Sequence, residues 1–293
     1  MKLAQVLSPT RRKLVGMEEA GKFFPFKRGS GKKTTPFLLD VVTNYDGYVK
    51  EMADTNKGIG INISKLKLLP PIPNPARPIF CVGKNYAEHV KEGARAGEQK
   101  NIPKAPIFFT KLSSIAVATN DPVYAWDVAK NMDYEAELGV VLSKKARDLD
   151  PEDVKDYIFG YTLVNDVTSR LLQKEHTQWF KGKNLDTFCP IGPYIVTRDE
   201  VKWPVELHLD LFVNDKKRQS LDTVDMIFNI SEIVSSLSKG LTLEAGDVIS
   251  TGTGSGCAFG MEPPIWLKPG DVVSIRCKEI GQLTNPIKSP GDK

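Results

Sequence analysis

Met132-Asp-Tyr-Glu-Ala-Glu-Leu-Gly-Val-Val-Leu142 is the stretch on which the reading of this chain turns. In an extended strand, successive side chains point to opposite faces. Ala136, Leu138, Val140 and Leu142 then form an apolar face, and Asp133, Glu135 and Glu137 fall together on the other. Neighbouring carboxylates on one face repel, which is costly unless a cation or cationic side chains offset the charge. A further carboxylate, Asp166, stands inside the apolar run 159–167, where a casual surface residue is not expected. Two glutamates at i, i+2 and an aspartate on a neighbouring strand make an open, oxygen-only site. Such ligation suits Mg²⁺ or Mn²⁺ and leaves positions for water and substrate. The plainer alternative is a solvated strand face, with Asp166 paired to Arg170.

Working outward, strand-like runs occupy 79–82, 107–111, 134–142, 159–166, 194–197, 208–213, 247–251 and 272–277. Helical patterns between them are few and short. One is expected to begin at Asp150 and Pro151, where Asp caps free amides and Pro suits the first turn. Another is expected over 230–239, with Gly240 placed to end it. Strands at this density without regular alternation with helices predict an α+β, mainly β fold and argue against a doubly wound sheet. Leu243-Glu-Ala-Gly-Asp-Val248 is echoed by Leu267-Lys-Pro-Gly-Asp-Val272. Each reads as a turn feeding a strand.

Residues 1–74 read as a small N-terminal unit with its own α/β pattern, ahead of a catalytic domain over 75–293. Leu38, Val41, Val42, Tyr45, Val49 and Met52 recur at helical spacing, in a helix opened by Pro36. Ile59, Ile61 and Ile63 alternate as on a half-buried strand. Pro70, Pro71, Pro73, Pro75 and Pro78 follow, and prolines stiffen the chain without donating to a ladder, which marks the boundary.

A net charge of +4, from 40 basic and 36 acidic residues in 293, gives no reason to expect nucleic acid or a membrane surface as partner. The one basic cluster, 27–33, is interleaved with glycines and reads as a mobile loop. No run of 18 apolar residues and no signal peptide is evident, so the cytoplasm is the expected compartment. Cys81, Cys189, Cys257 and Cys277 lack C-x-x-C spacing, which argues for reduced thiols and against a zinc ribbon.

His89 lies in Gly83-Lys-Asn-Tyr-Ala-Glu-His-Val-Lys-Glu-Gly93, with Glu92 three residues on. On a helix both project from one face. A carboxylate beside an imidazole fixes its tautomer and raises its basicity, as a water-activating base requires. An ordinary surface ion pair is the alternative for that spacing. His208 sits in an alternating strand pattern and reads as structural, while His176 stays unassigned. Thr251-Gly-Thr-Gly-Ser-Gly256 lacks the order of a phosphate loop or a nucleophile elbow. It reads as a strand end turning tightly against a ligand, with Thr253 available to an anion. Lys181, Lys183 and Arg170 supply charge for a carboxylate substrate.

In chain order, Gly83-Lys-Asn-Tyr-Ala-Glu-His89, Asp133-Tyr-Glu-Ala-Glu-Leu138, Gly160-Tyr-Thr-Leu-Val-Asn-Asp166 with Arg170, Lys183-Asn-Leu-Asp-Thr-Phe188, Pro190-Ile-Gly-Pro193 and Thr251-Gly-Thr253 resemble the fumarylacetoacetate hydrolase family, in particular its acylpyruvate-hydrolase-like members. The resemblance spans about 78–287. It implies a mixed β-roll catalytic domain, a homodimer, and Mg²⁺ or Mn²⁺ on Glu135, Glu137 and Asp166. It further implies His89 and Glu92 as the catalytic dyad, Lys183 as a charge-stabilising residue, and Arg170, Gln173 and Thr253 facing substrate. Two departures touch the pocket wall: Gly254 stands where Pro is common after T-G-T, and Asn184-Leu185 where Ser-Phe follows the lysine.

The implied activity is metal-dependent C–C hydrolysis of an acylpyruvate or fumarylpyruvate through an enolate. His89 would activate water, and Lys183 would stabilise developing charge. Segment 93–105 reads as a lid over the substrate. The same site could serve oxaloacetate decarboxylation or tautomerisation, or isomerisation and decarboxylation of a 2-hydroxymuconate-type acid. A catalytically silent metal-binding protein is the alternative of another class.

Overall fold

A computed structural model describes all residues except 27–37, 55–58, 73–76, 96–100 and 293, and only the backbone of 51–54. The basic cluster, Pro36, Pro73, Pro75 and the middle of segment 93–105 therefore lie outside the described residues, as does the Met52 side chain.

The expected mainly β, α+β architecture is present. One large mixed sheet runs, edge to edge, through Ile61–Asn62, Lys22–Pro25, Lys13–Glu19, Lys2–Leu7, Cys189–Thr197, Ile158–Asn165, Ala136–Leu142, Val248–Thr253, Ile79–Gly83 and Ile107–Lys111. Along this path only Val248–Thr253 and Ile79–Gly83 run parallel. A second, five-stranded sheet is built from Lys216–Asp222, His208–Val213, Val272–Cys277, Gly281–Lys288 and Val123–Tyr124. One core joins them, with Leu138, Val140 and Val164 from the first sheet and Leu209, Ile275 and Leu283 from the second.

Ala136–Leu142 and Ile158–Asn165 are buried along their whole length. The expected division into a core face and an acidic face is therefore replaced by two buried faces. Any charge carried by these strands is held away from water, where it must be paired. The strand is also shorter than expected, because Met132–Asp133 peels away to pair with Thr168–Ser169. Asp133 is thereby separated from Glu135 and Glu137.

The N-terminal segment extends the same sheet, since Leu3 lies opposite Ile195 and Lys2–Leu7 pairs antiparallel with Cys189–Thr197. The single helix expected to carry Leu38 to Met52 is two helices, Leu38–Thr43 and Tyr45–Asp54, broken at Asn44. The isoleucine alternation yields only a two-residue strand, and Ile59 and Ile61 are exposed. Asp150 and Pro151 open a turn that leads into a single 3₁₀ turn, Val154–Tyr157. Helix Ile230–Ser238 forms where expected, started by an Asn229–Glu232 capping box and followed by Gly240 at φ +71°. The two echoed turns share one device. Asp247 accepts from the Glu244 amide and Asp271 from the Lys268 amide, each beside a glycine at positive φ. No helix among the described residues is long and apolar enough to cross a membrane.

Candidate active site

The antiparallel register sets Ala136 opposite Asn165 and Glu137 opposite Thr253. Two bonds stitch the neighbouring ends together: the Asp166 amide donates to the Glu135 carbonyl at 2.9 Å, and the Glu135 amide to Asn165 Oδ1 at 3.0 Å. Carboxylates 29 to 31 positions apart in sequence thus meet. One oxygen each of Glu135, Glu137 and Asp166 lies within 4.8 Å of the other two, and all three residues are buried. These are hard oxygen donors without nitrogen or sulfur, the set that suits a Mg²⁺- or Mn²⁺-like ion.

Each carboxylate has a distinct environment. Glu135 Oε2 accepts from Lys183 Nζ at 2.6 Å, and Oε1 from Arg170 Nη2 at 2.6 Å. Burial by itself would raise this carboxyl; Lys183 and Arg170 overcome it and hold Glu135 well below the usual carboxylate range. Asp166 Oδ2 accepts from Lys183 at 2.7 Å and Oδ1 from Lys111 at 2.5 Å. Glu137 is served by neutral donors, Ser250 Oγ at 2.5 Å and the Gly252 amide at 3.0 Å. Burial, then the charges on Asp166 and Glu135, push it up to about 8. A divalent ion among the three would relieve that crowding, so the donor set and its electrostatics fit a metal.

Gly252 reaches Glu137 because the Val248–Thr253 strand bulges, with a register shift between Glu137 and Gly139 and φ +95° at the glycine. The alternative in which Asp166 pairs with Arg170 is not what the structure holds. Arg170 instead bridges Glu135 and Asp133, with Nε 2.8 Å from Asp133 Oδ2, and stacks 4.3 Å from the Phe259 ring centroid. Its Nη1 donates to Gln173 Oε1 at 3.1 Å.

His89 and Glu92 lie on helix Ala87–Arg95, which follows strand Ile79–Gly83. Asn85 anchors that junction, donating to Thr251 and Phe228 carbonyls and accepting from the Phe228 amide. His89 Nδ1 lies 3.7 Å from Glu92 Oε2, and Glu92 Oε1 accepts from the Gly256 amide at 2.7 Å. This is a buried pair rather than a surface one. A narrow cleft of about 30 Å³ brings His89, Glu135, Glu137, Arg170, Gln173, Lys183 and Thr253 together, walled by Phe109 and Trp179. Trp179 sits so close to Gly83 that a Cβ there would be 2.1 Å from the indole.

Lys181 and His176 are exposed, and His208 stands on the second sheet beside Asp222 and Asp210. Several residues that shape the site carry no signal in the sequence. Lys111 is fully buried beneath Asp166. Gln219 reaches across from the second sheet to Thr253 Oγ1 at 2.9 Å and accepts from the Ala136 amide. Buried Cys257 sits between Gln219 and His89.

Residues 78–288 match the model of the fumarylacetoacetate (FAA) hydrolase C-terminal domain. The chain belongs to the fumarylacetoacetate hydrolase family. Among curated members it is similar to the oxaloacetate tautomerase YisK of Bacillus subtilis (strain 168), 45% identical over 77% of this chain and 74% of that one. It is likewise similar to the mitochondrial oxaloacetate tautomerase fahd2 of Xenopus laevis, 38% identical over 81% of this chain and 73% of that one. Maleylpyruvate hydrolase of Sphingobium sp. SYK-6, solved with manganese(II) and pyruvate, superposes with a TM-score of 0.81 at 25% identity, covering 99% of each chain. Family members of this kind thus include both tautomerases and hydrolases.

Proposed function

We propose that this chain is a divalent-metal-dependent tautomerase that interconverts the keto and enol forms of a small 2-oxo acid of the oxaloacetate type. The observation that carries this reading is the facing of an all-oxygen acid cluster and a buried His89–Glu92 pair across one small cleft that also contains Arg170, Lys183 and Gln173. The two tautomerase relatives support it.

In this reading Glu135, Glu137 and Asp166 would hold Mg²⁺ or Mn²⁺. When bound, the ion supplies Lewis acidity beside the 2-oxo group. Arg170, oriented by Asp133, and Gln173 bind a substrate carboxylate, while Thr253 contacts the substrate from the facing strand. Lys183, an ammonium held by Glu135 and Asp166, places positive charge next to the substrate oxygen as negative charge develops there. His89, its tautomer set by Glu92, takes the proton from C3 or returns it, and the oxygen exchanges its own proton with solvent. One proton leaves oxygen and one arrives at carbon, so tautomerisation consumes no water and has no leaving group. The assembly is taken as a homodimer.

Hydrolysis of an acylpyruvate is the second reading, favoured by Glu92 backing His89 as it would back a water-activating base. Purified protein with Mg²⁺ or Mn²⁺ decides between them. Loss of the enol absorbance of oxaloacetate should far outpace pyruvate release from oxaloacetate, acetylpyruvate or fumarylpyruvate. Faster pyruvate release would mean a hydrolase or decarboxylase, and no turnover of any of these acids would leave a metal-binding protein.

A further inference from the structure

Cys257 is a buried thiol for which the proposed reaction has no task. Its sulfur is fully buried, accepts from Gln219 Nε2 at 3.5 Å and lies 3.8 Å from His89 Nδ1. A ring nitrogen of His89, the Cys257 sulfur and a Glu135 oxygen all lie within 4.8 Å of one another. Sulfur, nitrogen and oxygen together differ in kind from the all-oxygen cluster next door. Thiolate and imidazole select zinc-like ions over Mg²⁺. Bonds of about 2.0–2.3 Å in a tetrahedron put ligand atoms roughly 3.5 Å apart, so the three donors need close by only about 1 Å.

A second observation lies beside the imidazole. Glu92 is 9% exposed, and its Oε2 has no hydrogen-bond partner although it lies 3.7 Å from His89 Nδ1, the same nitrogen that faces the Cys257 sulfur. An ion on the other ring nitrogen, Nε2, would leave Nδ1–H to that carboxylate, the usual arrangement behind a metal-bound histidine.

We propose that Cys257, His89 and Glu135 form a second, thiophilic metal site for Zn²⁺ or Cd²⁺, and that filling it withdraws His89 from proton transfer. Binding forms a sulfur–metal bond as the thiol proton leaves to solvent. Glu135 is shared with the oxygen cluster, so the two ions would be neighbours bridged by one carboxylate. Only the inhibitory consequence rests on the tautomerase reading; the site itself does not.

The full chain, saturated with Mg²⁺, is titrated with Cd²⁺ while the thiolate-to-metal charge-transfer absorption is followed. One equivalent per chain should develop the band in the wild type, and Cys257→Ser should abolish it. Zn²⁺ should inhibit wild-type turnover at concentrations at least tenfold below those needed for Cys257→Ser. His89→Gln, which keeps the thiol, should weaken Cd²⁺ binding at least tenfold and serves if the serine variant does not fold. No band in the wild type overturns the site, as does an equal band in Cys257→Ser or unchanged affinity in His89→Gln. A normal band in a protein that turns over no 2-oxo acid would sink the tautomerase reading and leave the site standing.

Discussion

Lys111 Nζ stands 2.5 Å from Asp166 Oδ1, and neither side chain has any exposure to solvent. The same ammonium donates to the carbonyls of Val167 and Lys183, so its hydrogen-bonding capacity is spent on the loops around the acid cluster. Lysine is rarely buried so fully without a partner of this kind. Lys111→Met should leave Asp166 with Lys183 alone and two carbonyls unserved. A loss of about 3–5 kcal/mol is expected from breaking a buried pair on one side. Urea unfolding of the variant tests this, and a change under about 1 kcal/mol would show that Lys111 is dispensable.

Metal binding should register as stability. An ion that binds only the folded chain adds about 2.7 kcal/mol at a hundredfold excess over its Kd. Mn²⁺ should therefore raise the melting temperature of the wild type, and a chelator should reverse the rise. Glu135→Gln and Asp166→Asn should abolish the Mn²⁺ response. A response preserved in both variants would place the ion elsewhere.

Gly252 is held at φ +95° with room for no side chain: a Cβ would lie 2.8 Å from that of Asn85 and 2.9 Å from the Val82 carbonyl oxygen. Gly252→Ala should cost about 2 kcal/mol or more through backbone strain alone. It should also loosen the amide that serves Glu137, so metal affinity should fall together with stability. Calorimetric titration alongside unfolding separates the two. Full metal affinity in a destabilised variant would detach the bulge from the site.

Far from the cleft, His208 Nδ1 lies 2.7 Å from Asp222 Oδ1. The bond to Asp222, with help from Asp210, raises the imidazole above its ordinary value of 6.5. A histidine raised in the folded state stabilises most below its unfolded value, and that stabilisation fades as pH climbs through the raised one. Unfolding free energy measured from pH 5 to 9 should therefore carry a downward component above pH 6.5 that His208→Gln removes. Identical pH profiles for the two proteins would refute the coupling.

The acid cluster was legible in the sequence because two-residue spacing and an aspartate in an apolar run are local signals of a costly arrangement. The His89–Glu92 pair was legible as an i, i+3 spacing, which taken alone reads equally as a surface ion pair, and its role as a dyad came only with the resemblance. Asp133 was misplaced, since periodicity extends a strand past Tyr134 whereas the backbone leaves to pair with Thr168–Ser169. Lys111 closes an ordinary apolar run, Ile107–Lys111, and nothing local marks that it turns inward. Its role comes from Asp166, 55 positions away. The N-terminal strands escaped notice because Lys2–Leu7 is buried on both faces and shows no alternation.

The bonds around Glu137 and Glu92 span long stretches of chain: Glu137 to Ser250 is 113 positions, and Glu92 to Gly256 is 164. Closing such loops is slow, and contacts of this range are made after local structure. A nascent chain cannot assemble the acid cluster with its Ser250 and Gly252 donors until the Val248–Thr253 strand has left the ribosome. An ion held by Glu135, Glu137 and Asp166 would therefore be captured late, once the Val248–Thr253 strand has brought Ser250 and Gly252 to Glu137, and it would not template the sheet from an early stage of synthesis.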